Sequence, residues 1–427
     1  MATLREKLSQ TLPAVRDEIR NLIKDHGSKA ISQVTVEQAY GGMRGVKALV
    51  CDTSEVDNNR GLIIRGIHIS ELTQKLPEEI LWLLLTGELP DAESVETLKA
   101  DLQKRAKTVP KYVWDVLKAM PKDSHPMTMF STAILVMEKD SHFKKRYNEG
   151  MRKEEYWEPM LEDALDLIAR APVIAAGIYR MRYKKGPVIT PDAKLDLGAN
   201  FAHMLGIKDT TGEFANLMRL YLVLHSDHES GNVSAFTTHT VASALSNLYY
   251  AVSAGLDGLA GPLHGLANQE CLKWILMVRD MFKGVPTDEQ LHKFAWDTLQ
   301  SGKVIPGYGH AVLRQTDPRF TAFIEFGKRV CPTDEVFQIV EKTFKIVPPI
   351  LIEQGKAKDP WPNVDAASGS LLWHFGITEF DYYTVLFGVS RIIGVSSQAV
   401  ISRAIGSPIV RPKSVTTNWI KETVTKA

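Results

Sequence analysis

Three things are scarce in this sequence, and each scarcity closes off a class of explanation. Cysteine is the first: among 427 residues only Cys51, Cys271 and Cys331 occur. They form no CxxC and no even set, which excludes a disulfide framework and a cysteine-built zinc site and fits a reducing compartment. All three read as packing residues. Surplus charge is the second, since 51 Lys and Arg face 50 Asp and Glu. Without an overall basic field, neither nucleic acid nor anionic lipid is an expected partner, and any anion site must be local. Long apolar runs are the third. The longest unbroken one, Ile80 to Leu85, falls far short of the roughly 20 residues needed to cross a bilayer. No membrane association is expected. Glu6, Asp17 and Glu18 lie among the basic residues of the N-terminus, whereas signal and transit peptides avoid acids. No transit peptide is therefore read in this chain.

What remains is an ordinary globular composition, 24% charged and 44% hydrophobic, with no low-complexity tract. The length suggests two domains or more. Apolar residues recur at three and four positions, as in Leu161, Ala164, Leu165, Ile168 and Ala169, the period of a helix. Ala48 to Val50 and Leu62 to Ile64 flank the turn-rich stretch Glu55 to Arg60 and predict one small hairpin. The expected fold class is all-α with that single β-hairpin near the N-terminus. Pro and Gly cluster at 255–265, 304–310 and 360–369, marking three remote loops as candidates for chemistry.

Several polar groups stand out against this background. Thr210 and Glu213 have capping-box spacing ahead of Phe214, Leu217, Met218 and Tyr221, and His225 and His228 continue that apolar stripe. They are either satisfied core histidines or the floor of a polar cavity beside Asn232, Ser234 and His239. His264, in the loop Gly258 to Gly265, precedes a predicted helix over 266–278. The positive end of that helix favours a neutral imidazole, and the ring is either a simple cap or a hydrogen-bond donor to a carbonyl. In Pro306-Gly-Tyr-Gly-His310-Ala-Val-Leu-Arg314-Gln-Thr-Asp-Pro-Arg319, two glycines admit close approach of a ligand to the backbone. One histidine and two arginines follow within a few residues. Asp365, after Pro360-Trp-Pro-Asn-Val, is a helix N-cap or a general base. Arg391 sits in an otherwise uncharged helix and needs an anion. Arg411, between Val410 and Pro412, has no such constraint.

The segment Gly307 to Arg319 matches throughout the signature of citrate synthases. Tyr40-Gly-Gly-Met-Arg44-Gly, His225-Ser-Asp-His228-Glu, Gly258 to Gln269, Trp361-Pro-Asn-Val-Asp365 and Tyr382 to Arg391 also resemble the eukaryotic, mitochondrial branch of that family. The resemblance covers nearly the whole chain. It implies a two-domain helical fold, with residues 1–265 and 375–427 forming a large domain and 266–374 a small one. It implies His264, His310 and Asp365 as the catalytic trio. His228, Asn232, Arg319, Arg391 and Arg411 would bind oxaloacetate or citrate. Arg44, Val304, Ile305, Gly307, Tyr308, Gly309, Ala311, Arg314 and Lys358 would hold CoA. Arg411 would reach the site of a partner subunit, which implies a homodimer. No metal or permanently bound cofactor is implied, acetyl-CoA and CoA being cosubstrate and product, and the location implied is the mitochondrial matrix. Phe236 departs from the family, in which a histidine is usual.

The implied reaction joins acetyl-CoA to oxaloacetate through citryl-CoA and hydrolyses it to citrate and CoA, the entry step of the tricarboxylic acid cycle. The enzyme class is that of citrate (Si)-synthase, an acyltransferase. Three alternatives are a 2-methylcitrate synthase acting on propionyl-CoA, a helical scaffold that has lost activity, and a metal hydrolase on His225, His228, Glu229 and His239. The last lacks established ligand spacing.

Overall fold

The three-and-four spacing does build helices. Leu161, Ala164, Leu165 and Ile168 lie buried along α1 (Trp157–Arg182), one stripe of a helix packed on several sides. The structure is a computed structural model and describes residues 3–309, 312–357 and 359–425. His310, Ala311 and Lys358, each expected at the site, lie outside the described residues.

Six further helices carry or frame the polar groups: α2 (Glu213–Leu224), α3 (Val233–Ser243), α4 (Ala267–Phe282), α5 (Pro318–Val330), α6 (Asp365–His374) and α7 (Tyr383–Ala404). α7 packs against α1, α2 and α3. The stretch Phe380–Ala404 is long and apolar enough to cross a membrane, yet it is almost wholly buried inside the protein. It is a core helix, and a search for unbroken apolar runs overlooks it because Arg391 and several serines interrupt it. Burying Ile392, Ile393 and Val395 there stabilises by about 1.5–3 kcal/mol per side chain before entropy is counted. A second group, α4, α6 and the helices Asp288–Gln300 and Glu335–Gln354, pack among themselves.

The sheet differs from the expected hairpin. β1 (Ser54–Asp57), β2 (Gly61–Ile64) and β3 (Ile67–His68) form a three-stranded antiparallel sheet in that order, with Ser54 opposite Ile64 and Ile64 opposite Ile67. Ala48 to Val50 is not strand, and Val50 is exposed. The chain turns at 58–60 because Asp57 accepts from the Asn59 and Arg60 amides, so the acid within the supposed turn closes the hairpin one strand later.

Helix boundaries differ from the expected ones as well. α2 begins after Gly212 in the left-handed region, and Asp209 rather than Thr210 accepts from the Gly212 and Ala215 amides. Glu213 instead pairs with Arg329. α2 ends at Leu224, which leaves His225 as its C-cap and His228 in the loop beyond, off the helical stripe. The 255–265 segment is helical as far as Leu259. Gly255 lies there so that the helix can press on α3, since a Cβ would sit 2.1 Å from Thr238 Oγ1.

Candidate active site

Two of the remote loops are zipped together. The Gly309 amide donates to the Trp361 carbonyl at 2.9 Å, the Asn363 amide to Gly307 at 2.9 Å, and the Asp317 amide to Pro362 at 3.1 Å. Tyr308 and Pro362 form an isolated antiparallel bridge. Asn363 works on both sides: its Nδ2 donates to the Gly309 carbonyl at 3.0 Å and its Oδ1 accepts from the Asp365 amide at 3.0 Å. The N-terminus of α6 is thus capped by Asn363, and Asp365, the first helical residue, keeps its carboxylate for other work. Gly307 is required here. Its φ is +83°, and a Cβ would lie 2.9 Å from Cys271 Sγ and 3.1 Å from the Ala366 Cα.

The cap reading for His264 also falls away, because α4 starts at Ala267 with no side-chain cap. The ring turns to Ser234, whose amide donates to Nε2 at 3.3 Å and whose hydroxyl lies 2.9 Å from it. A backbone N–H cannot reverse its role, so with the Ser234 hydroxyl proton turned to Nε2 rather than to Asn232 Oδ1, 2.8 Å away, the ring accepts at Nε2 and carries its proton on Nδ1. Burial, then the nearby Arg391 charge, lowers the His264 pKa to about 4. At neutral pH this imidazole is a donor without being a cation.

His225 is fully buried and stacks on Tyr221 with ring centroids 4.2 Å apart. Its Nδ1 donates to the Tyr221 carbonyl at 3.1 Å, while Nε2 has no hydrogen-bond partner among the described residues. Burial and then Arg319 push its pKa down to about 3. Arg391 is 3% exposed. Its Nε donates to the His225 carbonyl at 3.3 Å, its guanidinium lies 5.0 Å over the Phe387 ring, and Nη1 is buried without a partner among the described residues. Burial, partly offset by Asp227, drops its pKa to about 10. A buried cationic nitrogen lacking an acceptor is costly unless a ligand supplies one.

Arg319 is buried as well, but Asp317 already engages it through Nε and Nη2, the latter at 2.7 Å. Nη1 is the one nitrogen that Asp317 does not take. Asp365 feels this group: burial raises its pKa to about 6, with Arg319 opposing, Asp317 reinforcing and Arg391 opposing. The structure therefore brings His264, Asp365, Arg319, Arg391 and the His225 to Asn232 loop into one neighbourhood.

Other expected residues are placed differently. Asn232 spends its side chain locally, capping α3 through Oδ1 and tying the His228 carbonyl at 2.8 Å through Nδ2. His228 is half-buried. Arg411 is exposed in an extended segment beyond α7, and Arg44 is exposed in the turn after Tyr40. Val304 is exposed, Ile305 buried and Tyr308 half-buried. Arg314 donates to the Val312 and Leu313 carbonyls of its own loop. A cavity of about 680 Å³ opens beside it, lined by Asn59, Arg60, His68, Glu325 and Trp361 among others. Neither His264, Asp365 nor Arg391 lines that cavity. Phe236 is 39% exposed on α3, and nothing in the structure explains it. Among the described residues no group of three or more His, Cys, Asp or Glu is placed to hold a metal ion.

Sequence reasoning missed Phe387, Asn363, Asp317 and Asp227. Phe387 touches His225, His264 and Arg391 at once. Its position four residues before Arg391 was the available signal.

Comparison with known proteins identifies the family. Residues 42–413 match the family described as citrate synthase, C-terminal domain. The mitochondrial citrate synthase of Saccharomyces cerevisiae is 49% identical over 99% of this chain and 90% of its own, and that of Daucus carota 50% identical over 98% and 90%. The crystal structure of citrate synthase from Pyrobaculum aerophilum superposes with a TM-score of 0.79 and 28% identity, covering 88% of this chain and 92% of that one. By family match, by sequence and by fold, this chain belongs to the citrate synthase family.

Proposed function

We propose that this chain, a mitochondrial citrate synthase by its kinship, condenses acetyl-CoA with oxaloacetate using His264, His310 and Asp365. The carrying observation is the pairing of a neutral Nδ1–H donor with a carboxylate raised toward neutral pH. The methyl group of a thioester is a poor acid, so its proton leaves only if the incipient enolate oxygen is stabilised. His264 Nδ1–H donates to the thioester carbonyl while Asp365 accepts the proton, an arrangement that contributes about 10²–10⁴-fold. The enol carbon attacks the ketone of oxaloacetate, which His310 polarises, and citryl-CoA is hydrolysed to citrate and CoA. Arg391 Nη1 and Arg319 Nη1 take the substrate carboxylates. His228 and Asn232 flank them, the latter by holding the loop. No metal or resident cofactor takes part in this scheme.

For CoA, the Val304 to Ala311 loop receives the nucleotide, and Arg44, Arg314 and Lys358 neutralise phosphates. Residues 266–374 act as a small domain that closes on the rest when oxaloacetate binds, so that acetyl-CoA is not hydrolysed prematurely. The functional unit is a homodimer in which Arg411 completes the partner's site. Its support is a set of exposed apolar residues flanking that arginine and along the N-terminal segment, including Ile409, Val415, Trp419, Ile31, Val34 and Val50.

Thiol release from acetyl-CoA, followed with a chromogenic disulfide with and without oxaloacetate, tests the proposal. Oxaloacetate-dependent release that prefers acetyl-CoA over propionyl-CoA and collapses in Asp365→Ala is expected. Preference for propionyl-CoA would move the chain to 2-methylcitrate synthesis, and no release from the folded protein would overturn the reading.

A further inference from the structure

Asp227 is fully buried, and the reaction as described gives it nothing to do. Its carboxylate accepts from three side chains on two remote elements. Thr53 Oγ1 at 2.5 Å and Ser54 Oγ at 2.9 Å come from the start of β1, and Gln398 Nε2 at 2.7 Å comes from α7. The donors are themselves stitched to the same loop. Ser54 Oγ accepts from the Glu229 amide at 2.7 Å, and Gln398 Oε1 accepts from Ser230 Oγ at 3.0 Å. Gly394 of α7 donates its amide to the Ser226 carbonyl at 3.1 Å, and it must be glycine, because a Cβ there would lie 2.3 Å from that oxygen and 2.6 Å from Asp227 Oδ1. Gln398 and Arg391 are two turns apart on one face of α7. The 225–230 loop is thus clamped between β1 and the arginine-bearing face of α7, with Asp227 as the common acceptor.

We propose that Asp227 is a positioning residue for the dicarboxylate end of the site. It fixes the His225 to His228 loop against α7 and supplies the counter-charge that holds the Arg391 guanidinium in place before the substrate dianion arrives. The carboxylate is enclosed and engaged by three donors, so it acts on substrate only through Arg391 and the loop. The inference rests on the reading that Arg391 takes a substrate carboxylate.

Asp227→Asn in the full chain separates positioning from plain stability. The KM for oxaloacetate rises about ten-fold or more, as the loop and Arg391 lose the charge and the shared acceptor that hold them in place. The turnover number and the KM for acetyl-CoA stay within about three-fold. Gln398→Ala, which keeps the carboxylate and removes one donor, shifts the oxaloacetate KM in the same direction by a smaller factor and serves if Asp227→Asn does not fold. A lowered melting temperature with an unchanged oxaloacetate KM in both variants would overturn the proposal. Arg391→Gln is the control. If it leaves that KM unchanged, the reading of Arg391 itself fails, whereas a rise there without one in Asp227→Asn or Gln398→Ala sinks only the role of Asp227.

Discussion

The acid limb of the activity profile follows from the surroundings of Asp365. Its pKa of about 6, against an ordinary 3.8, corresponds to about 3 kcal/mol of disfavour for the charged form. The proposed base works only when ionised, so activity is lost as pH falls through about 6. At pH 5 about one tenth of the protein carries the ionised base, and kcat/KM for acetyl-CoA should be about ten-fold below its plateau. His264, at about 4, is still mostly neutral there and does not distort the limb. Initial rates in a constant-ionic-strength buffer series from pH 4.5 to 8, with stability checked by reassay at pH 7.5, give the profile directly. The perturbation with a definite sign is Asp317→Asn. Asp317 raises the Asp365 pKa whereas Arg319 lowers it, so neutralising Asp317 moves the limb to lower pH. A wild-type limb below pH 5, or one that moves upward in Asp317→Asn, would refute the electrostatic account of the base.

Three further outcomes follow from particular contacts. Arg391→Gln should raise the oxaloacetate KM by about 10²-fold with a much smaller effect on acetyl-CoA, because a charge-assisted carboxylate contact is lost; steady-state kinetics at saturating cosubstrate measures it. Gly307→Ala forces an L side chain to φ +83° beside Cys271 and Ala366, which should cost about 1–3 kcal/mol of stability. It should also lower turnover, since Ala366 adjoins Asp365; thermal unfolding and the rate assay together check this. Glu78 is buried, accepts from the Leu197 amide at 2.7 Å, leaves Oε2 without a partner among the described residues, and has its pKa raised by burial to about 7. The folded state therefore holds a proton that the unfolded state has released, and stability falls as pH rises from about 4.5 to about 7. Glu78→Gln should flatten that slope in melting temperatures measured from pH 5 to 8.

The helical class was legible because apolar periodicity reports the buried stripe directly, as along α1. The errors have one physical origin. Thr210 was expected to cap a local box, and a cap was one of the two readings left open for His264 and for Asp365, each suggested by what stands next to the residue in sequence. The caps that form are Asp209 and Asn363, whose short side chains fit the amides actually presented. The first strand was misjudged for a similar reason, since Ala48 to Val50 is apolar but has no sheet neighbour, whereas Ser54 to Asp57 pairs along the whole of β2.

The same reasoning explains why the candidate site was legible in its reactive members and not in its supports. A buried charge in an apolar helix, such as Arg391, or a histidine and two arginines in a glycine-bearing loop, is anomalous on its own and draws notice without any contact being known. Asp227, Asp317 and Asn363 are anomalous only in three dimensions. Asp227 finds its donors 173 and 174 residues earlier, at Ser54 and Thr53, and 171 residues later, at Gln398, and Asn363 joins Gly309 to Asp365 across a loop junction. Such groups obey the requirement that buried polar atoms be satisfied, so locally they look ordinary. What they fix is the relative placement of the anomalous ones. Since a catalytic gain from paired donor and base depends on placement within a fraction of an ångström, changes at the supports should alter kinetic constants while leaving every reactive side chain present.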